Sequence, residues 1–187
     1  MRDQPTLATP RLVLRPFALA DAPAVQALAG AREVADTTLH IPHPYPDGAA
    51  EAWIGAHAAA WAAGTLATYA VVDAADGTLR GAVGLSVAPE HARAELGYWV
   101  GVPWWGRGIA TEAARALVEF GFARLGLHRV QARHLTRNPA SGRVMQKLGM
   151  RREGIHREAV RKGDRFEDTA LYAVLDREWG ADPPLTG

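Results

Sequence analysis

One segment, residues 94–112, constrains the fold of this chain more than any other, and it reads A-E-L-G-Y-W-V-G-V-P-W-W-G-R-G-I-A-T-E. Its first half, residues 95–102, is rich in aromatic and β-branched side chains, which predicts a buried strand. Pro103 ends this strand, because proline has no N–H to donate to a neighbouring strand. Beyond two glycines, apolar residues recur at helical spacing at Ile109, Ala113, Ala114 and Leu117. The segment therefore predicts a strand, a glycine turn and a helix over residues 107–125.

Such a turn directs free backbone N–H groups at one point. The first turn of a helix leaves several N–H donors without partners, and the helix dipole adds partial positive charge there. Gly106 and Gly108 can adopt positive φ angles and let a bulky anion approach the backbone, and Arg107 can add a charge-assisted hydrogen bond. The turn therefore predicts a phosphate or pyrophosphate site.

Two familiar phosphate loops do not describe this turn. No Lys-Ser or Lys-Thr pair follows Gly108, so the G-x-x-x-x-G-K-[ST] pattern fails. Thr111 stands at the third glycine position of G-x-G-x-x-G, so that pattern fails as well. From the residues alone, a loop that starts a helix and binds no ligand stays open as the alternative.

The composition predicts one domain over residues 1–187 and disfavours several classes of function. A hydrophobic share of 48% argues against disorder, and a net charge of +1 argues against direct nucleic-acid binding. The absence of cysteine excludes disulfides, thiolate metal sites and a cysteine nucleophile. The first ten residues contain no apolar run, and the alanine-rich stretch at residues 56–63 is far shorter than a bilayer span. We therefore expect a soluble, cytoplasmic protein with no membrane partner.

The order of the elements predicts a mixed α/β fold. Residues 66–72, 79–87 and 94–102 form three consecutive strands with short connections, which predicts an antiparallel meander. A helix then separates residues 95–102 from a further strand at residues 128–134, and a crossover of this length makes those two strands parallel. Ligands are expected at the carboxyl ends of the parallel pair.

The remaining segments complete this prediction. Residues 9–17 predict an edge strand with Leu12 and Leu14 inward, and Asp21 is expected to cap a helix that ends near residue 29. Residues 47–63 and 139–148 predict two further helices, and the last part predicts a hairpin of residues 150–160 and 165–174.

The proline-rich segment at residues 40–46 contains a His40-x-x-His43 pair. Two histidines without a third ligand make a poor metal site, and we predict no metal. A loop over a substrate cleft is favoured, with a plain surface connection as the alternative.

Three motifs carry a family resemblance. W-G-R-G-I-A at residues 105–110 resembles the [QR]-x-x-G-x-[GA] acyl-CoA pyrophosphate motif of the GNAT superfamily of N-acyltransferases, although Trp105 replaces the Gln or Arg. T-x-R-L-x-L-R-P-F at residues 9–17 resembles the opening of the RimJ/RimL-like branch, in which tryptophan is common at the position of Trp105. N-x-x-S-x-x-V-x-x-K-x-G-M at residues 138–150 resembles a third motif of that branch. The resemblance covers about residues 9–172, with the motifs in the same order.

The resemblance implies a GNAT fold, in which a mostly antiparallel sheet has one parallel strand pair, about 95–102 and 128–134, splayed to hold acyl-CoA between helices on both faces. It implies that acetyl-CoA is the co-substrate and that the acetyl group passes directly to an amine, without an acyl-enzyme. The cofactor-binding residues carried over are Trp99, Val100, Val102, Gly106, Arg107, Gly108, Ile109, Ala110, Thr111, Asn138 and Ser141.

Two residues are expected to be catalytic. In the family the serine of the third motif lies near the thioester sulfur, so Ser141 would stabilise the leaving thiolate, and the asparagine, here Asn138, would hold the pantetheine arm. Asn is also a preferred helix N-cap, and the two roles can coexist. Glu95 is the best-placed general base, because burial beside aromatic side chains would raise its pKa. An ordinary outward-facing charge is equally compatible with Glu95, and Glu153 and Glu158 are the further candidates.

The family also implies backbone donors for the oxyanion near Val100, which a bulge in the strand would free. The acceptor that the resemblance favours is a protein N-terminal α-amine, such as that of a ribosomal protein. Two alternatives stay open: transfer to a small-molecule amine or aminoglycoside, and a non-catalytic regulatory module that binds acyl-CoA. Both a monomer and a homodimer are compatible with the sequence.

Overall fold

The computed structural model describes residues 3–180, and within them eight strands form one sheet. Its order is β1-β2-β3-β4-β5-β6-β8-β7, and every neighbouring pair except β5 and β6 is antiparallel. The strands are β1 (Leu7–Ala8), β2 (Leu12–Arg15), β3 (Leu66–Asp73), β4 (Leu79–Ala88), β5 (Arg93–Val100), β6 (Arg129–Leu135), β7 (Arg151–Lys162) and β8 (Arg165–Leu175). The meander of β3, β4 and β5 and the final hairpin confirm the predicted order.

Helices cover both faces of this sheet. They are α1 (Ala22–Ala29), α2 (Arg32–Thr37), α3 (Ala49–Gly55), α4 (His57–Ala62), α5 (Ile109–Leu125) and α6 (Pro139–Lys147). The larger apolar core lies between the sheet and α5 and α6, and a second core lies between the sheet and α1 and α3. Residues of β3 are buried on both faces because helices cover both, as expected for the centre of such a sheet. Across residues 3–180, the structure contains no helix long and apolar enough to span a bilayer.

The parallel pair is the feature that makes room for a site. β5 and β6 pair only at their beginnings, from Arg93 opposite Arg129 to Glu95 opposite Gln131. Beyond that point β5 continues beside β4 alone, and β6 continues beside β8 alone. The two neighbouring strands therefore diverge towards their carboxyl ends. This confirms the predicted splayed pair, with bounds shifted by one or two residues.

Several local predictions need correction. Asp21 begins α1 but its side chain does not cap that helix; the carboxylate instead pairs with Arg15 at 2.7 Å and accepts from the N–H of Ala18. The helix predicted at residues 47–63 is two helices, α3 and α4, broken after Gly55, where glycine is the weakest helix former present. Leu12 and Leu14 are buried as predicted, but β2 is not the edge strand, because β1 pairs with its outer side.

Candidate functional site

The turn before α5 leaves its backbone N–H groups open. Gly106 and Gly108 have φ angles of 75° and 78°, and only glycine adopts this conformation without strain. Gly108 is the N-cap of α5, without a side-chain cap, and the first helical bond runs from the N–H of Glu112 to the Gly108 carbonyl at 3.0 Å. Within residues 3–180, the N–H groups from Gly106 to Thr111 have no hydrogen-bond acceptor, and nothing lies within 4 Å of the Cβ position at Gly106. An anion can therefore approach this turn freely.

Two residues of the connection between β1 and β2 hold this turn in place through hydrogen bonds. Glu112 accepts from the hydroxyl of Thr9 at 2.7 Å and from the side chain of Arg11 at 2.7 Å. Partial burial opposes ionisation of Glu112, but the hydrogen bonds from Thr9 and Arg11 outweigh it and hold the pKa of Glu112 below its ordinary value. Arg11 also donates to the carbonyl of Arg107 at 3.1 Å. The guanidinium of Arg11 thus lies against the turn, although Arg11 and its partner Glu112 are 101 positions apart in sequence.

A cavity of about 980 Å³ runs from this turn through the gap between β5 and β6 to the face covered by α1 and α3. It brings together most of the residues predicted to hold the cofactor: Trp99, Val100, Gly106, Gly108, Ile109, Ala110, Thr111, Asn138 and Ser141. Val102 and Arg107 do not line it; Val102 lies in a 3-10 turn, and Arg107 is exposed. The far end is walled by α1, α3 and residues 37–42.

Backbone groups at the end of β5 face the gap. Gly101 donates its N–H to Arg80 on the β4 side at 2.9 Å, and N–H directions alternate along a strand, so the N–H of Val100 points to the open side. The carbonyl of Val100 accepts from the indole N–H of Trp105 at 2.6 Å. The expected bulge near Val100 is wrong, since β4 and β5 pair in regular register from Arg93 to Val100. The donor is free because the neighbouring strand departs.

Ser141 lies in the first turn of α6 and touches β5. Its Oγ is 2.9 Å from the hydroxyl oxygen of Tyr98, and the same hydroxyl oxygen lies 3.1 Å from the Ser141 carbonyl oxygen. Burial raises the pKa of Tyr98 to about 12, so this phenol keeps its proton at neutral pH. A pair of hydroxyls therefore stands at the wall of the cavity.

Asn138 is the N-cap of α6 and also a connection across the cavity. Its side-chain oxygen accepts from the N–H of Ser141 at 3.3 Å, and its amide nitrogen donates to the carbonyl of Thr37 at 3.1 Å. The end of α2 is held from a second side by Lys162, whose ammonium donates to the carbonyl of Ala35 at 2.9 Å. Burial lowers the pKa of Lys162. This wall of the cavity is thus fixed to both α6 and the β7–β8 hairpin.

The candidate bases are all in ion pairs or outside the cavity. Glu95 lines the cavity, but its carboxylate pairs with the guanidinium of Arg133 on β6 at 2.9 Å, both side chains being one-third exposed. Hydrogen bonds from Arg129 lower the pKa of Glu153. Neither Glu153 nor Glu158 lines the cavity. The expected apolar environment of Glu95 is therefore not what the structure shows; a cation lies beside the carboxylate.

The two histidines of the proline-rich segment have different surroundings. His40 lines the cavity, while the Nδ1 of His43 lies 3.0 Å from the carbonyl of Gly30. Residues 3–180 contain no group of three or more acidic or histidine side chains able to hold a metal ion. The segment forms part of the cavity wall, as the cleft interpretation predicts.

Comparison with known families fits this geometry. Residues 11–151 match the family model described as the acetyltransferase (GNAT) domain. This chain belongs to the GNAT acetyltransferase family. The open glycine turn and the parted strands are therefore found in a GNAT domain.

The curated relatives cover part of this GNAT protein. It is 41% identical over 85 residues to YnaD of Bacillus subtilis, an uncharacterised N-acetyltransferase, which is 46% of this chain and 50% of YnaD. It is 29% identical over 84 residues to the ribosomal protein uS5-alanine N-acetyltransferase of Escherichia coli, 45% of this chain and 43% of that enzyme. The chain thus spans about half the length of the curated relatives it matches.

Solved structures resemble it over nearly its whole length. RimJ of Mycobacterium smegmatis, solved in complex with CoA-disulfide, superposes with a TM-score of 0.85 at 22% identity, covering 97% of this chain and 92% of RimJ. The spermidine N-acetyltransferase of Vibrio cholerae, solved with CoA and spermine, gives a TM-score of 0.78 at 20% identity, covering 91% of this chain and 98% of that chain. At these identities the likeness establishes the fold.

Sequence reasoning missed three side chains at the GNAT site. The sequence places Tyr98 only in an aromatic strand beside Glu95, and it gives Arg133 no role. Arg11 belongs to the T-x-R-L motif, but nothing in the sequence indicated that it reaches the turn before α5. Their partners lie 38 to 101 residues away, so no local pattern pointed to them.

Proposed function

We propose that this protein transfers the acetyl group of acetyl-CoA to a primary amine, with a protein N-terminal α-amine as the acceptor. The observation that carries the proposal is the continuous cavity. It joins an open anion site at the start of α5 to an amine-accessible face through the gap between β5 and β6. A diphosphate and an extended acyl arm have matching places along this path.

The residues present fit acetyl-CoA. The free N–H groups from Gly106 to Thr111 would bind the diphosphate, since they have no acceptor among the described residues and lie at a helix N-terminus, where the dipole is positive. The N–H of Val100 would bind the thioester carbonyl oxygen, and Ser141 would donate to the sulfur as negative charge develops there. Acetyl-CoA supplies an activated acetyl group, and the protein supplies orientation and hydrogen-bond donors.

The charge of the cavity favours an acceptor with one amine. Among the described residues that line it, Glu95 is the one carboxylate, and Arg133 already neutralises it. A polyamine or an aminoglycoside carries several positive charges and would need more than one carboxylate. Apolar side chains dominate the far wall instead, among them Val25, Val34, Ile41 and Trp53. This wall suits a single amine that carries an apolar group.

An α-amine also needs the least help to lose its proton. With a pKa near 7.7–8.0, roughly 10% of an α-amine is neutral at pH 7, which costs about 1.4 kcal/mol; a lysine amine, with a pKa near 10.4, costs nearly 5 kcal/mol. Glu95 remains the proposed base, with water as the relay, and an ion-paired carboxylate suffices for the smaller of these two barriers. The ribosomal protein uS5-alanine acetyltransferase among the relatives supports the same acceptor class.

Thiol release from acetyl-CoA tests the proposal. The acceptors are a peptide with a free N-terminal alanine, the same peptide with a blocked N-terminus and one internal lysine, spermidine, and an aminoglycoside. We expect release with the first peptide only. Thiol release with spermidine or the aminoglycoside would reject the N-terminal α-amine as the acceptor class, while the proposed acetyl transfer itself would stand.

A melting measurement separates the remaining outcomes. A rise in melting temperature with acetyl-CoA but no release with any acceptor would favour a regulatory module that binds acyl-CoA. No rise would reject acetyl-CoA as the ligand. The cytoplasmic location expected from the sequence stays a prediction.

A further inference from the structure

Tyr98 and Ser141 form a hydroxyl pair whose proton arrangement is not fixed by distance alone. The phenol oxygen lies 2.9 Å from Ser141 Oγ and 3.1 Å from the Ser141 carbonyl. A phenol has one proton to donate. If that proton goes to the carbonyl, the serine O–H turns back to the phenol oxygen; if it goes to Oγ, the serine O–H is free to point elsewhere.

The surroundings keep this phenol protonated and fixed. The ring of Tyr98 packs against the larger core, on the face of β5 that meets α5 and α6. Burial raises the pKa of Tyr98 to about 12, which makes it a donor across the physiological range. Both Tyr98 and Ser141 line the cavity at the place where β5 no longer pairs with β6.

We propose that Tyr98 is a positioning residue, whose hydroxyl donates to Ser141 Oγ and thereby turns the serine proton towards the sulfur of the acyl donor. This inference rests on the proposed function. A row of donors, Tyr98 O–H to Ser141 O–H to sulfur, strengthens each bond in it when negative charge develops at the far end. Without the phenol proton, Ser141 Oγ accepts no hydrogen bond, and the Ser141 O–H is then a weaker hydrogen-bond donor to the sulfur.

The step balances without any further reactant. The neutral amine nitrogen forms the new bond to the acetyl carbon, the carbon–sulfur bond breaks, and its electron pair goes to sulfur. The proton released from nitrogen passes through water to Glu95 and from there to solvent, and sulfur takes one from solvent to give the free thiol of CoA. Ser141 and Tyr98 keep their own protons throughout and act only as hydrogen-bond donors.

The first test measures the thiol of bound CoA rather than turnover. Ultraviolet absorbance of the thiolate is followed against pH for CoA bound to the wild-type protein and to Tyr98→Phe, Ser141→Ala and Tyr69→Phe. Tyr69 is the matched control, since it is fully buried and does not line the cavity. We expect Tyr98→Phe and Ser141→Ala each to lower the ratio of thiolate to thiol about tenfold at a fixed pH, and Tyr69→Phe to leave it unchanged.

Kinetics provide the second test. Tyr98→Phe should lower kcat about tenfold while the KM for acetyl-CoA changes less than about twofold, because the lost bond acts on the leaving sulfur. Adding Tyr98→Phe to Ser141→Ala should have no further effect, since the phenol works through the serine.

Each result decides the inference. If Ser141→Ala lowers the thiolate ratio and Tyr98→Phe does not, the phenol donates to the carbonyl and the inference is overturned, while the proposed function stands. Additive losses in the double variant would likewise overturn it. If the wild-type protein binds no CoA, the proposed function fails, and the inference fails with it.

Discussion

His57 makes the stability of the folded protein depend on pH. It lies on α4, only 7% exposed, with ring centroids 4.5 Å from Trp53 and 5.6 Å from Phe17. In the described structure neither of its ring nitrogens has a hydrogen-bond partner. Burial in this aromatic environment lowers the pKa of His57 from 6.5 to about 4, because nothing there solvates an imidazolium. The folded protein therefore holds this histidine neutral where an unfolded chain protonates it.

The direction and size of the effect follow from that difference. Above pH 6.5 both states are neutral and the stability is complete; between 6.5 and about 4 only the unfolded chain binds the proton, so stability falls as the pH falls. At about 1.36 kcal/mol per pH unit, the loss is about 2 kcal/mol at pH 5 and about 3 kcal/mol at and below pH 4. Trp53, which packs against His57, also lines the cavity.

The assay is urea unfolding at pH 7 and pH 5 for the wild-type protein and for His57→Leu. The carboxylates titrate alike in the two proteins, so the difference between their losses of unfolding free energy isolates the contribution of His57. We expect the wild-type protein to lose about 2 kcal/mol more than His57→Leu between these pH values. His91→Leu is the matched control, because the His91 side chain is 60% exposed, and it should behave as the wild type does. Equal losses in the wild type and His57→Leu would refute the reasoning.

Four further predictions follow from the site. Gly108→Ala should destabilise the fold by about 1–2 kcal/mol in urea unfolding, because φ is 78° there. The same variant should also bind CoA more weakly when it is titrated with CoA. Arg11→Ala should raise the KM for acetyl-CoA several-fold but not that for a short acetyl thioester without a diphosphate; equal effects would contradict a role at the turn. Asn138→Ala should lower stability by about 1 kcal/mol through loss of the N-cap, measured by calorimetry. Glu95→Gln should lower the rate at pH 7, and an unchanged rate would remove it as the base.

The sequence by itself determined the order of the elements and the position of the open glycine turn before α5. Short-range patterns predict these features: alternation in β5, helical spacing in α5, and two glycines where positive φ is required. The parallel pairing of β5 and β6 also followed, since a strand–helix–strand crossover permits little else. Local patterns did not predict the helix end at Asp21, because its carboxylate pairs with Arg15 and does not cap α1.

The tertiary structure alone decided which side chains meet in the cavity. Glu95 pairs with Arg133, 38 positions away, and Tyr98 meets Ser141, 43 positions away. No periodicity predicts such contacts, because they depend on how far β5 and β6 part and how α6 sits across the gap. The candidate residues Glu95 and Ser141 were therefore predicted from the sequence, but their partners Arg133 and Tyr98 follow from packing, which acts between segments that are distant along the chain.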